Sequence, residues 1–100
     1  MEIKVESSIG EFCITQEDGR ILYNLIKKNI DKYGKVTINF SNVMCIHVFM
    51  RESIGTLFKH MSIEEFNKTV TIKGLDKDNE SLFRDVIQTY SEVYSESIGT

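Results

Sequence analysis

Few side chains in this sequence combine the type and spacing that chemistry requires. His47 stands at the end of the apolar run 43–48, just ahead of a helix that begins near Phe49. In an open α/β sheet, ligands and partners dock at such strand-to-helix junctions. The helix start there offers unpaired backbone amides that favour anionic groups. His47 could contact such a ligand, or it simply caps and shields the helix start, since one imidazole without a partner carries little specificity. Cys13 and Cys45 lie in apolar, strand-like segments and form no CxxC pair. With His47 and His60 as the only histidines, zinc would need scattered ligands, whereas structural sites show closely spaced pairs. No metal is expected. The cysteines read as free thiols packed as small apolar groups in a reducing cytoplasm. A disulfide would require their two strands to be neighbours.

Catalytic constellations are missing. There is no GxSxG elbow, no GxxxxGKS/T phosphate loop, no HExxH and no GxGxxG. Gly10, Gly19, Gly34, Gly55 and Gly74 are isolated, as turn and cap glycines are. Glu64 and Glu65 are adjacent, so on a helix they point in different directions rather than forming an acid–base pair. The expectation is a chain that is not an enzyme and uses no cofactor.

Composition narrows the classes further. One hundred residues make a single domain, 1–100, with no room for a second core. The 41% apolar and 27% charged content fits a globular chain rather than a disordered one. Twelve basic against fifteen acidic side chains leave a net charge of −3, which argues against nucleic-acid binding. No apolar run approaches the roughly 20 residues that span a bilayer, and the N-terminus lacks a signal-peptide pattern. A cytoplasmic protein without membrane contact is expected. The acidic excess lies near Glu64-Glu65 and over 76–85, where it complements the dipoles of helix starts.

The elements that would position these residues follow from periodicity. Ile3 and Val5 alternate with Glu2, Lys4 and Glu6, and Phe12 and Ile14 alternate beyond the turn-prone 7–10 segment, which predicts an N-terminal hairpin. Thr15 caps a helix over 16–33 carrying Leu22, Leu25, Ile26, Ile30 and Tyr33 at helical spacing, with Gly34 as its stop. Residues 36–40 form a β-rich strand, and Ser41-Asn42 a turn. Phe49, Met50, Ile54, Leu57, Phe58 and Met61 predict a helix over 50–60. Gly55 inside it implies close approach to a neighbouring element. Ser62-Ile63-Glu64-Glu65 is a capping box for a short turn through Phe66. Residues 69–72 make another strand stopped by Gly74. Asp76 or Asp78 then caps a helix over 78–94 whose buried stripe is Leu82, Phe83, Val86, Ile87, Tyr90, Val93 and Tyr94, with a frayed tail over 95–100. Among these, Leu25, Ile38, Leu57 and Ile87 are expected on buried faces. Strands separated by helices predict an α/β fold, a mixed sheet with helices mainly on one face.

The segment around His47 carries a family resemblance. Ser41-Asn42-Val43, two residues on Ile46, and then the helix opening at His47-Val48-Phe49 resemble the central strand-turn-helix of STAS domains, the fold of anti-sigma-factor antagonists. The family pattern reads Ser-Gly-Val, two residues, an apolar position, then Asp-Ser-Ser-Gly or Asp-Thr-Ser-Gly. Asn42 replaces the glycine, and asparagine tolerates left-handed backbone angles. Phe49, Ile54-Gly55-Thr56-Leu57-Phe58, Glu65-Phe66, Val70-Thr71-Ile72 and the acidic cap before the last helix are similar to the small STAS-like proteins of unknown function, often found beside histidine-kinase-type ATPases.

The resemblance implies a single-domain STAS-like fold and a regulatory binding role in bacteria, with a histidine-kinase-type or anti-sigma-like ATPase as partner. In regulated antagonists a Ser or Thr at the helix start accepts phosphate from the partner kinase, and the added charge dismantles the complex. Here Val48 and Phe49 take those places, and Ser53 lies one turn later, so no Ser/Thr phospho-switch is expected. The leading reading is a non-catalytic interaction module that binds through Ser41, His47, Phe49, Met50, Arg51 and Ser53, with Phe49 and Met50 as apolar anchors if exposed and as core residues otherwise. The alternative is a small anion- or nucleotide-binding sensor at the same junction, with His47 and Arg51 as contacts. An exposed apolar patch there favours the first reading, and a concave polar pocket the second.

Overall fold

Local signals set the two long helices close to where the sequence places them. The computed structural model describes the backbone of residues 2–98 and the side chains of residues 2–93. A one-turn helix α1 (Val5–Ser8) comes first, then the long helix α2 (Gln16–Tyr33). The Thr15 hydroxyl accepts from the Asp18 amide at 3.0 Å, with Glu17 and Asp18 in the first turn. Gly34, at φ 79°, closes α2 in the left-handed conformation, its N–H donating to Ile30 O at 2.7 Å.

Strands β1 (Glu2–Lys4), β3 (Val36–Asn39) and β5 (Val70–Lys73) form a parallel sheet in the order β1-β3-β5. Its register aligns Ile3, Ile38 and Ile72 in one row and Val36 with Val70 in the next. Both rows lie on the face packed into the core. The alternate positions are polar, and there Lys73 Nζ sits 2.7 Å from Glu2 Oε1 while Asn39 Nδ2 donates to Glu2 Oε2 at 3.3 Å. One carboxylate thus ties all three strands.

The predicted hairpin does not form. β1 leads into α1 at Val5, and β2 (Phe12–Cys13) pairs instead with β4 (Met44–Cys45) in a separate sheet. The row of isoleucines explains this: pairing β1 with β3 buries Ile3 beside Ile38, a contact that a local hairpin could not supply. Every strand pair among the described residues is parallel, so neither sheet is mixed.

The helix expected over 50–60 starts earlier and changes form. Helix α3 (His47–Ser53) gives way to a 3-10 segment, Gly55–Lys59. A Cβ on Gly55 would lie 3.2 Å from the Tyr90 ring and 3.3 Å from Val86, so the glycine lets the last helix approach. Ser62 caps α4 (Ile63–Thr69) through the Glu65 amide at 3.1 Å; α4 runs past Phe66 and takes Thr69 from the predicted strand. Asp76, rather than Asp78, caps α5 (Lys77–Ile98), its carboxylate accepting from the Asn79 amide at 2.8 Å.

Of the α5 stripe only Val86 is fully buried; Leu82, Phe83, Ile87 and Tyr90 are half-buried against the core, and Val93 is exposed. Helix α5 continues to Ile98, past the end expected at 94 and into the tail expected to fray; the Tyr94 side chain and residues 99–100 lie outside those described. Ile38 and Leu57 are fully buried, whereas Leu25 and Ile87 only pack against the core's margin.

The Glu2 cluster makes a pH-dependent contribution. The hydrogen bond from Lys73, then that from Asn39, holds the Glu2 carboxyl below its ordinary value of 4.5. A lowered folded-state pKa gives stability that is present above the ordinary value and lost as pH falls through the folded one. Glu2→Gln is therefore expected to flatten the stability–pH curve below pH 4.5, a small effect for an exposed pair. Urea unfolding of both proteins across that range checks it, and parallel curves would contradict the assignment.

Candidate functional site

The junction after β3 is shaped by the backbone before any side chain reaches solvent. Phe40 N donates to Lys73 O at 2.9 Å, and the Asn39 side chain accepts from Ser41 N at 2.9 Å, turning the chain away from the sheet. Asn42 takes a left-handed φ of 64°, as the resemblance implied. Gly74 packs against this turn, where a Cβ would collide with the Asn39 and Ser41 side chains and lie 2.7 Å from Ser41 N.

The chain then runs through β4 beside β2, with Met44 N donating to Glu11 O at 2.8 Å and Ile46 N to Cys13 O at 3.2 Å. From the first turn of α5, Asn79 holds β4 in place. Its Nδ2 donates to Val43 O at 3.0 Å and its Oδ1 accepts from Cys45 N at 3.3 Å. Asn79 is buried, one of only two polar residues in the described interior.

Alternation along the pair sorts its side chains. Cys13 and Cys45 point inward. Phe12 (57% exposed), Ile14 (44%), Met44 (52%) and Ile46 (40%) point outward. Four large apolar side chains thus share one solvent-facing surface, running into His47, which is exposed at the first position of α3. His47 does not cap the helix; Ile46 occupies the cap position with extended backbone and no side-chain hydrogen bond.

The predicted site residues separate into two groups. Ser41 is half-buried in the turn, His47 is exposed and Arg51 is half-exposed. Phe49, Met50 and Ser53 are fully buried and form no surface for a partner. Helical phase is the reason: an α-helix starting at His47 turns positions 49, 50 and 53 toward the core together. The Ser53 hydroxyl is spent on Phe49 O at 2.8 Å.

Gly19 seals that side. A Cβ there would sit 2.7 Å from Glu52 Cβ and 3.0 Å from Phe49 O, so α2 and α3 cross almost backbone to backbone. Gly19 is a helix-crossing glycine, not a turn or cap. At the crossing Glu52 accepts from Gln16 Nε2 at 3.0 Å and Arg51 Nη2 at 3.4 Å, with Arg20 Nε at 4.0 Å. The adjoining groove, lined by Gln16, Arg20, Tyr23, Glu52 and Lys59 among others, therefore has a carboxylate within it.

Neither the outward apolar face nor Asn79 is in the set read from sequence. The face had a legible signal: Phe12-Cys13-Ile14 and Met44-Cys45-Ile46 are apolar at both parities, which a strand with one wet face is not. Asn79 had none, because its partners are more than 30 residues away.

Among the described residues no cluster of three or more His, Cys, Asp or Glu could hold a metal ion, and no helix is long and apolar enough to cross a membrane. No curated protein and no solved structure matches the chain. A family model described as a STAS-like domain of unknown function matches residues 18–80, from the first turn of α2 to the first turn of α5. The parallel β1-β3-β5 sheet, the turn at Ser41-Asn42 and the helix that opens at His47 lie largely within that stretch, and on it the chain belongs to the family of STAS-like domains of unknown function.

Proposed function

We propose that this domain is a non-catalytic protein-interaction module whose partner binds the outer face of β2 and β4 and the adjoining start of α3. The exposed quartet Phe12, Ile14, Met44 and Ile46 carries the reading. Contiguous apolar surface on a globular chain marks interaction sites, and Phe and Met are enriched in interface cores. Ser41, His47 and Arg51 provide a polar rim.

The family resemblance supports a histidine-kinase-type ATPase as the partner, in bacterial regulation. The helix start presents His47, Val48 and Phe49, and Ser53 is buried with its hydroxyl bonded to Phe49 O. Binding is therefore not released by Ser/Thr phosphorylation there. The alternative, a small-anion sensor, gains nothing from the groove beside α3, where Glu52 opposes an anion.

Titration calorimetry against a bacterial histidine-kinase-type ATPase domain tests the reading. Met44→Lys or Phe12→Lys is expected to weaken binding by about 30-fold or more, as at a central interface residue. Arg51→Glu, at the rim, is expected to have a smaller effect. Unchanged affinity in both lysine variants would remove this surface from the proposal. Stoichiometric phosphate on a serine or threonine, coupled to release in ATP, would overturn the switchless reading.

A further inference from the structure

We propose that Cys13 and Cys45 are an oxidation site, converted to an intramolecular disulfide by a two-electron oxidant of the peroxide class. The two are register partners on the parallel pair β2–β4. Neighbouring strands lie about 4.8 Å apart, inside the Cα separation of roughly 4.4–6.8 Å that a disulfide spans. Both side chains point to the same inward face, and both are free thiols. The strand pairing thus places the two thiols side by side.

The pair is also chemically unequal. A hydrogen bond from Cys45 lowers the Cys13 pKa, while that shared hydrogen bond and then burial push Cys45 up. Because the thiolate is the nucleophile, Cys13 attacks and Cys45 resolves. Cys13 thiolate attacks one peroxide oxygen, the O–O bond breaks, and the departing alkoxide or hydroxide takes up the proton that Cys13 released. Cys13 is then a sulfenic acid. The Cys45 sulfur attacks the Cys13 sulfur, the S–O bond breaks, and the leaving hydroxide departs as water with the Cys45 proton. Two thiols and one peroxide give one disulfide, one alcohol or water from the peroxide, and one water. The sulfurs lose two electrons and the peroxide gains them.

Burial does not block this chemistry. Each strand of the pair is only two residues long, flanked by the Met44–Glu11 and Ile46–Cys13 backbone hydrogen bonds. A pair this short can open locally without global unfolding, and a peroxide is small. The inference does not depend on the partner proposed above.

The test is to treat the folded chain with hydrogen peroxide, count free thiols and map peptides without reduction. Thiols are counted rather than intact mass, because methionine oxidation adds mass elsewhere. The expected result is a fall from two free thiols to none, a peptide joining Cys13 to Cys45, and full recovery with dithiothreitol. Cys45→Ser should leave a Cys13 sulfenic acid trapped by dimedone. Cys13→Ser should form no disulfide at the same dose. Disulfide-linked dimers, irreversible sulfinic acid at either cysteine in the unsubstituted chain, or thiols that react only after unfolding would each overturn the proposal. The measurement on the unsubstituted chain decides even if a serine variant does not fold.

Discussion

Truncating Phe49 to alanine is expected to lower the unfolding free energy by about 3–5 kcal/mol, the range for a buried phenylalanine. That is a large share of the roughly 5–15 kcal/mol that holds a typical domain together. The side chain is fully buried on the inner face of α3, where the α2 backbone comes close enough that Gly19 admits no Cβ without displacement. A crossing that tight cannot collapse into the cavity, so the cost belongs at the upper end. Chemical denaturation should show the midpoint falling with little change in slope. His47→Ala, two residues away on the exposed side, should stay within about 0.5 kcal/mol, as at typical surface sites. A loss below about 1 kcal/mol for Phe49→Ala would mean that the helix phase is wrong and that Phe49 faces solvent; core truncations that leave cavities cost more than that. With Phe49 buried, any loss of partner binding in this variant reports unfolding rather than a lost contact.

Asn79→Ala is expected to cost about 2–4 kcal/mol, because it strips partners from two buried backbone groups and each stranded group costs roughly 1–3 kcal/mol. The groups are Val43 C=O and Cys45 N–H, both bonded to the Asn79 amide. The loss has a place as well as a size. Those bonds join α5 to β4, so amide exchange should quicken at Met44 and Ile46 before it quickens at Ile38 in the parallel sheet. Hydrogen exchange followed residue by residue distinguishes that order from uniform destabilisation. Uniform acceleration would show that Asn79 supports the whole core rather than the β2–β4 pair.

The capped helices α2, α4 and α5 were legible because their signals are local. Thr15, Gly34, Ser62 and Asp76 each satisfy or end a helix within four residues of chain, and the structure uses all four as caps. The strands were legible as strands but not as pairs. Ile3 and Val5 alternate whether β1 joins a hairpin or a parallel neighbour, and only the isoleucine row across β1, β3 and β5 selects the second. The family resemblance read around Ser41 to Phe49 agrees with the family match over residues 18–80, and the left-handed turn at Asn42 is where it was expected.

The candidate site was half legible, for a reason of phase. Starting the helix at His47 rather than near Phe49 turned Phe49, Met50 and Ser53 inward, since each residue advances the helix by about 100°. The face left exposed comes instead from two-residue strands some 30 positions apart, whose apolar residues at both parities gave its local signal while their pairing gave none. By itself the sequence determined the caps at Thr15, Gly34, Ser62 and Asp76, the apolar content and the absence of a hydroxyl at the head of α3, because these are properties of neighbouring residues. Which strands pair, which glycine admits a crossing helix, and that Cys13 lies against Cys45 were decided only when distant segments competed to bury the same apolar rows.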